Sequence, residues 1–482
     1  MMTYDTIKEM AKDAKCKVND LLALHPNNDP FYTGMPREID AAYWFKDVWT
    51  QHCEQRNQRK GIHLRRVHYW AIDGLEPPLR MPNGQLYQNT MVCWGYLNVA
   101  SKYARYLGLV DPAAFEDRQV QEVHILAHFE DSYYDPTPSY QLDTDNEDPF
   151  EDLSFDLPGL PELSELQWRL PYLPDFNVWG YDAIKQPYLV EVWTEKSTMN
   201  DVLIPLCRHY NVNLIVGKGE LSITAVILFL ERVREADRPA RILYVSDYDP
   251  AGMGMPISVA RKVEYYQRTE GYNDLDIRLE PAILTADQID TYNLPRTPIK
   301  DSDLKKANWE ALHGKGATEL DSLEGRHPGE MARIIEQAIL NYYDPTLTQR
   351  AKEEKRNLTD ALIELKKEIT EPHQAELDAA TNEYAELQAD FEKTRERFTE
   401  LVTDFQPEID AYTDRLEAIK ERFRWTYSKL YADLDAVNFD AEEEYPLPEP
   451  DLPEESDALL YGSYRDYMTQ LAYYKEYRGN SQ

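Results

Sequence analysis

Three short apolar runs fix the fold class of this chain. They are Tyr188-Leu-Val-Glu-Val-Trp193, Asn213-Leu-Ile-Val216 and Arg241-Ile-Leu-Tyr-Val245. Strands of a parallel sheet are covered by helices on both faces, so they read as nearly continuous apolar stretches of this kind. Helix-like segments at about 197–210 and 221–236 separate the runs, and a third follows at about 254–268. The resulting βαβαβα order predicts an α/β domain over residues 167–340. Its expected core is a Rossmann-like, doubly wound parallel sheet with right-handed crossovers.

The flanking sequence divides into four zones. Residues 1–128 are predicted helical and globular, because Trp44 to Cys53 and Gln88 to Leu107 place apolar residues at helical spacing. Residues 129–166 carry twelve acidic side chains between Phe129 and Leu166 with no Lys or Arg, and read as an acidic linker. Residues 347–437 repeat apolar positions every three, four or seven residues, the signature of a coiled-coil helical arm. Proline within a helix costs about 3 kcal/mol. Pro372 and Pro407 should therefore break the arm into two or three helices, folding back as an antiparallel hairpin or dimerising. Residues 438–482 read as an acidic, proline-rich tail with a short terminal helix.

Charge limits the partners. The chain has 52 Lys and Arg against 87 Asp and Glu, a net charge of −35. That opposes a polyanion at long range. Salt screens charges beyond about 8–10 Å, however, so a local basic island can still meet phosphates. Gln55 to Trp70 is such an island, with Arg56, Arg59, Lys60, Arg65 and Arg66 and no acid. The acidic stretches read either as solvated linkers or as a shield that occupies a basic groove until DNA or a partner displaces it. No apolar run approaches the ~20 residues of a membrane helix. The N-terminus lacks the pattern of a signal peptide. Cysteines 16, 53, 93 and 207 form no Cys-x-x-Cys pair. A cytoplasmic protein without a membrane partner, zinc ribbon or disulfide framework is expected.

The chemistry lies after the strands. Trp193-Thr-Glu195-Lys196-Ser197 follows the first run, and Ser246-Asp247-Tyr-Asp249-Pro-Ala-Gly252 follows the third. Open parallel sheets bind ligands beyond the carboxyl ends of their strands, so Glu195, Asp247 and Asp249 should converge. Two carboxylates about 4 Å apart repel by about 4 kcal/mol at an effective dielectric near 20. Such a group needs a cation, a shared proton or a basic partner. Oxygen donors without His or Cys suit Mg²⁺ or Mn²⁺. The competing reading of Asp-x-Asp-Pro is a turn and helix cap. Gly252-Met-Gly254 lacks the full dinucleotide fingerprint, and no Gly-x-x-x-x-Gly-Lys-Ser/Thr occurs, so the chain has no P-loop of its own.

Together, Glu195-Lys196, the Gly217-Lys218-Gly219 turn, Asp247-x-Asp249-Pro-x-Gly252 and Glu319-Leu-Asp321-Ser-Leu323 resemble a Toprim domain over about residues 185–340. More narrowly, the chain resembles the Toprim of topoisomerase VI A subunits, meiotic double-strand-break transesterases and related bacterial and plasmid-defence nucleases. His63-Leu-Arg65-Arg66-Val67-His68-Tyr69 is similar to the Arg-x-x-x-Tyr segment of the winged-helix domain that precedes Toprim there. The resemblance implies metal-dependent DNA double-strand cleavage at Glu195, Asp247 and Asp249, as catalytic and metal-holding residues, in a homodimer. It casts Tyr69 as the nucleophile that becomes linked to a DNA 5′ end. A separate ATPase subunit, or a partner in a defence complex, would control the reaction. Related nucleases hydrolyse DNA with water instead.

On its own chemistry, a phenol with pKa near 10 needs activation, which Arg65 and Arg66 can supply. Tyr69 is one of 34 tyrosines, so contact with DNA and core packing stand beside the nucleophile role. Arg56, Arg59 and Lys60 would position phosphates rather than specify sequence. Lys196 and Lys218 are expected near the same phosphate, with a solvated turn as the other reading of Lys218. The competing class is a non-catalytic assembly or regulatory protein of a DNA-processing or defence complex.

Overall fold

The computed structural model describes residues 4–25, 27–29, 37–73, 75–116, 120–127, 137–143, 173–217, 221–301, 303, 305–400 and 406–453. The N-terminal helices are α1 (Tyr4–Asp13), α2 (Val18–Leu21), α3 (Arg37–Arg56), α4 (Leu64–Asp73) and α5 (Met91–Tyr106). Strand β1 (Val120–His124) comes next, followed by the antiparallel pair β2 (Ser139–Leu142) and β3 (Phe176–Trp179). Then β4 (Leu189–Thr194), α6 (Asn200–Tyr210), β5 (Asn213–Gly217), α7 (Ile223–Ala236), β6 (Ala240–Val245), α8 (Gly254–Thr269) and β7 (Ile277–Ile283) alternate. Helices α9 (Ala286–Thr291), α10 (Lys306–His313), α11 (Leu320–Arg326) and α12 (Glu330–Leu340) precede α13 (Leu347–Glu400), α14 (Gln406–Asp435) and α15 (Ala441–Glu444).

Two compact units result. The first lies within residues 1–129, 186–345 and 451–482 and holds a mixed five-stranded sheet in the order β1-β5-β4-β6-β7. Strands β5, β4, β6 and β7 run parallel, and β1 pairs antiparallel with β5. Every residue of β4, β5 and β6 is buried. Side chains alternate between faces with the strand period of two. Leu189, Trp193, Ile215, Ile242 and Tyr244 join a core with α7, α8 and the N-terminal helices α3 to α5. Val190, Val192, Leu214, Val216, Leu243 and Val245 face the other way, against α6, α11 and α12. Helices on both faces make this the expected doubly wound α/β arrangement. The N-terminal helices share a core with the sheet, and Tyr265 Oη donates to the Tyr106 carbonyl across that junction.

Four strands were not anticipated: β1, the pair β2 and β3, and β7. Strand β1 lies in the zone expected to be helical, and β7 contains Pro281. A proline cannot donate to a ladder, so it belongs at an edge, and β7 ends the sheet. Among the described residues of 1–128 the remaining β features are isolated bridges, including Arg80 with Leu86.

The second unit lies within 130–185 and 346–450. Helices α13 and α14 form an antiparallel hairpin: Thr394 meets Tyr412, and His373 meets Asp433. Leu377, Tyr384, Leu387 and Phe391 pack against Leu416, Ile419, Phe423 and Leu430. The expected break at Pro372 does not occur, since α13 runs through it. Pro372 is exposed, so the carbonyl it leaves unbonded can meet water, while the apolar stripe continues on both sides. Pro407 instead stands in the first turn of α14, where its missing N–H costs nothing. Within the zone read as an acidic linker, Ser139–Leu142 is a strand. Residues 144–172, and the terminal helix expected in the tail beyond 453, lie outside the described residues.

Candidate functional site

The loops at the carboxyl ends of β4 and β6 carry the acids. Asp247 is two residues past β6, and its carboxylate is fixed by the Leu320 backbone N–H, 2.7 Å from Oδ1. The Tyr248 N–H donates to Thr318 at 2.9 Å, which ties this loop to the segment leading into α11. Asp249 Oδ1 accepts from the N–H groups of Ala251 at 2.8 Å and Gly252 at 2.6 Å. The turn-and-cap reading of Asp-x-Asp-Pro is thus correct for one oxygen of Asp249. The chain turns so tightly here that a Cβ on Gly252 would lie 2.1 Å from the Asp247 carbonyl oxygen. Glycine at this point lets the backbone approach itself beneath the acids.

Electrostatics join the two loops. The Glu195 carboxyl is pushed up to about 7, first by burial and then by the negative charges of Asp247 and Asp249. Lys196 and a backbone hydrogen bond from Asp247 oppose that shift without cancelling it. Lys196 Nζ lies 2.7 Å from Asp247 Oδ2, 3.5 Å from Asp321 Oδ2 and 3.8 Å from Glu319 Oε2. Burial pulls the lysine pKa down, but the hydrogen bond to Asp247 and the surrounding acids outweigh it and raise it. Lys196 was expected on a phosphate. Its ammonium faces these three carboxylates in the structure.

The donor type suits a hard divalent cation: three carboxylates, of which Glu195 is raised in pKa first by burial and then by its two acidic neighbours. As placed, no three His, Cys, Asp or Glu side chains among the described residues are gathered closely enough to ligate one ion. Lys196 supplies the positive charge to Asp247 in this arrangement.

Glu195 makes the stability of the fold depend on pH. Its folded pKa exceeds the unfolded value of 4.5, so the native state holds the extra proton between about pH 4.5 and 7. Stability should fall as pH rises through that window. Urea denaturation in EDTA at pH 5 and pH 8 should show this loss in the wild type and a smaller one in Glu195→Gln. Equal losses would mean that Glu195 does not titrate there.

The basic island occupies α3, α4 and their connection. Tyr69 is 54% exposed, which removes core packing from its possible roles. It lines a concavity of about 580 Å³ with Arg56, Arg66, His52, Gln58 and Trp70. Arg56 and Arg66 have no ion pair among the described residues, despite the acidity of the chain. Lys60 pairs with Asp111 at 3.0 Å, Arg65 lies 5.7 Å over the Trp94 ring, and Arg59 is exposed. His68 is buried, with Nδ1 2.7 Å from the Tyr87 hydroxyl, and serves packing. Lys218 lies outside the described residues. Sequence reasoning missed His52, although it stands one helical turn before Arg56 and so shares its face. Burial and the Arg56 charge push the His52 pKa down.

No family model matches the chain, and no curated protein matches it.

Proposed function

We propose that this chain cleaves DNA with the help of a divalent cation, as a Toprim-type protein acting in a homodimer under the control of partner subunits. The observation that supports the reading is the placement of Glu195, Asp247 and Asp249 on the loops after two neighbouring parallel strands, where the charges of both aspartates add to burial in raising the Glu195 pKa. Glu195, Asp247 and Asp249 would hold Mg²⁺ or Mn²⁺, which neutralises charge developing on a scissile phosphate. The exposed Tyr69, beside Arg56 and Arg66, which have no ion pair among the described residues, is the second support. In the transesterase form, the Tyr69 phenolate bonds to phosphorus and the P–O3′ bond breaks. The 3′ oxygen leaves and takes up a proton, and the tyrosine stays on the 5′ end. Arg66 stabilises the phenolate and the phosphate it approaches. In the hydrolytic form, water is the nucleophile and Tyr69 only contacts the strand.

Plasmid cleavage with Mg²⁺ tests the reading. Asp247→Ala should lose about 10²-fold or more of the rate, the scale on which removing a group that stabilises the transition state acts. Tyr69→Phe should abolish both a covalent protein–DNA adduct and cleavage in the transesterase form; unchanged cutting would assign the attack to water. The second reading is a non-catalytic assembly protein. The observation that favours it is Lys196, which already supplies the acids with a cation. Equal inertness of wild type and Asp247→Ala, with partners present, would establish that reading.

A further inference from the structure

The first unit has an open groove beside its last strand. Pro281 and Ala282 of β7 form one wall, and Ile334, Ala338 and the C-cap Asn341 of α12 form the other, around a volume of about 660 Å³. The α12 residues recur every three or four positions, so they lie along one flank of the helix over about 10 Å. Ala338 carries only a methyl group, which leaves room for a bulky side chain above it. Pro453 also lines the groove. The backbone just before it is fixed, because the Asp451 N–H donates to Asp344 Oδ2 at 2.8 Å. Asp344 is itself buried, and Gln186 bonds both its N–H and its carbonyl, each at 2.8 Å. Residues 454–482 therefore set out from the groove wall.

That segment carries an apolar stripe of its own. Leu460, Tyr464, Tyr467, Leu471 and Tyr474 are spaced four, three, four and three apart, the period of one helix face. Tyr464, Tyr467 and Leu471 span seven positions, as Ile334, Ala338 and Asn341 do on the groove wall. Charge permits the approach. Residues 458–478 hold Arg465, Lys475 and Arg478 against Asp466 and Glu476, in a chain of net charge −35. The six residues 454–459 can span about 20 Å, so the stripe reaches any part of the flank. A short tether also holds its segment at an effective concentration in the ~mM range. A strand added along β7 is disfavoured here, because Pro281 has no N–H to give it. An apolar helix face laid into a groove needs no such donor.

We propose that residues 458–478 dock in this groove of their own chain as a helix, with Tyr464, Tyr467 and Leu471 against the flank of α12. The docked segment covers the outer edge of the sheet at β7. It does so whatever chemistry the acid loops perform.

The test uses the full chain. Gln337 is exposed and lines the same groove. With Gln337→p-benzoylphenylalanine, ultraviolet light should join this position to a peptide within 454–482, and the adduct should run as a single chain on a denaturing gel. An adduct of twice the mass would assign the groove to a second copy. An adduct mapping elsewhere, or none, would leave the segment without a place there. Each of these results overturns the proposal. Independently, Tyr464→Asp combined with Tyr467→Asp and Leu471→Asp should speed amide exchange over Ile334–Leu340 by about tenfold or more, and leave that of β4 unchanged. Unchanged exchange in α12 would overturn the proposal as well.

Discussion

Gly252→Ala is expected to destabilise the first unit by about 3 kcal/mol, the upper part of the range for overpacking. The new methyl would meet Asp247 O at 2.1 Å, Asp247 C at 3.0 Å and Asp247 N at 3.2 Å. All three are backbone atoms, so no side-chain rotamer relieves the clash. Asp247 cannot retreat freely. The neighbouring Ser246 N–H donates to Ile283 at 2.7 Å and its carbonyl accepts from Leu284 at 2.9 Å, while Tyr248 exchanges backbone bonds with Thr318. Gly252 cannot retreat either without losing its 2.6 Å bond to Asp249. Relief must come from moving the loop that carries both acids, so the Lys196–Asp247 pair should be disturbed with it. Gly254→Ala is the control: two residues on, at the start of α8, its Cβ would meet nothing within 4 Å. That variant should stay within about 0.5 kcal/mol of wild type. Urea midpoints at constant m-value decide the comparison. A Gly252→Ala protein as stable as the Gly254→Ala control would show that the turn is looser than its geometry.

The parts of this molecule that were legible in the sequence are those with strong periodicity. The three strands after Tyr188, Asn213 and Arg241 appeared within a residue of their expected ends, because burial on both faces leaves an almost unbroken apolar run. The hairpin of α13 and α14 appeared for the same kind of reason: its stripe recurs over many turns. What escaped had competing signals. Ile277 to Ile283 alternates as a strand should, but Pro281 argues against a strand unless its place at the sheet edge is already known. Val120 to His124 is short and stands apart from the alternating series, and only its partner β5 makes it a strand. Pro372 marked a break that tertiary packing overrode. At the site, the acids were legible from their positions after strands. The orientation of Lys196 was not, because it depends on Glu319 and Asp321, more than a hundred residues away in the chain.

The buried carboxylate on β4 should have the second large effect. Glu191 is fully buried in the middle of the sheet, and both its oxygens are saturated. Arg232 reaches Oε1 through Nε and Oε2 through a terminal nitrogen, each at 2.9 Å, in the fork geometry that guanidinium supplies. The Trp193 indole N–H adds a bond to Oε2 at 2.8 Å and the Asn213 amide one to Oε1 at 3.0 Å. Glu191→Leu fits the space but strands four donor groups on three residues, two of which, Trp193 and Asn213, are fully buried. The cost should be about 3–5 kcal/mol, as when one partner of a buried pair is removed. The damage should spread in a definite direction. Asn213 Oδ1 accepts the backbone N–H groups of Leu126 and Ala127 at 2.8 and 2.9 Å, just past the end of β1. An Asn213 freed from Glu191 no longer holds that edge, so amide exchange at Leu126 and Ala127 should accelerate before that of the central strands. Arg232→Met should cost a comparable amount by leaving the carboxylate unpaired. The double variant should cost less than the two losses added together, since each single change already breaks the shared bonds. It should not return to wild-type stability, because Trp193 and Asn213 still lack their acceptor. A Glu191→Leu loss below about 1 kcal/mol, or a fully recovered double variant, would mean that the indole and amide find other partners and that Glu191 does not anchor the β1 edge.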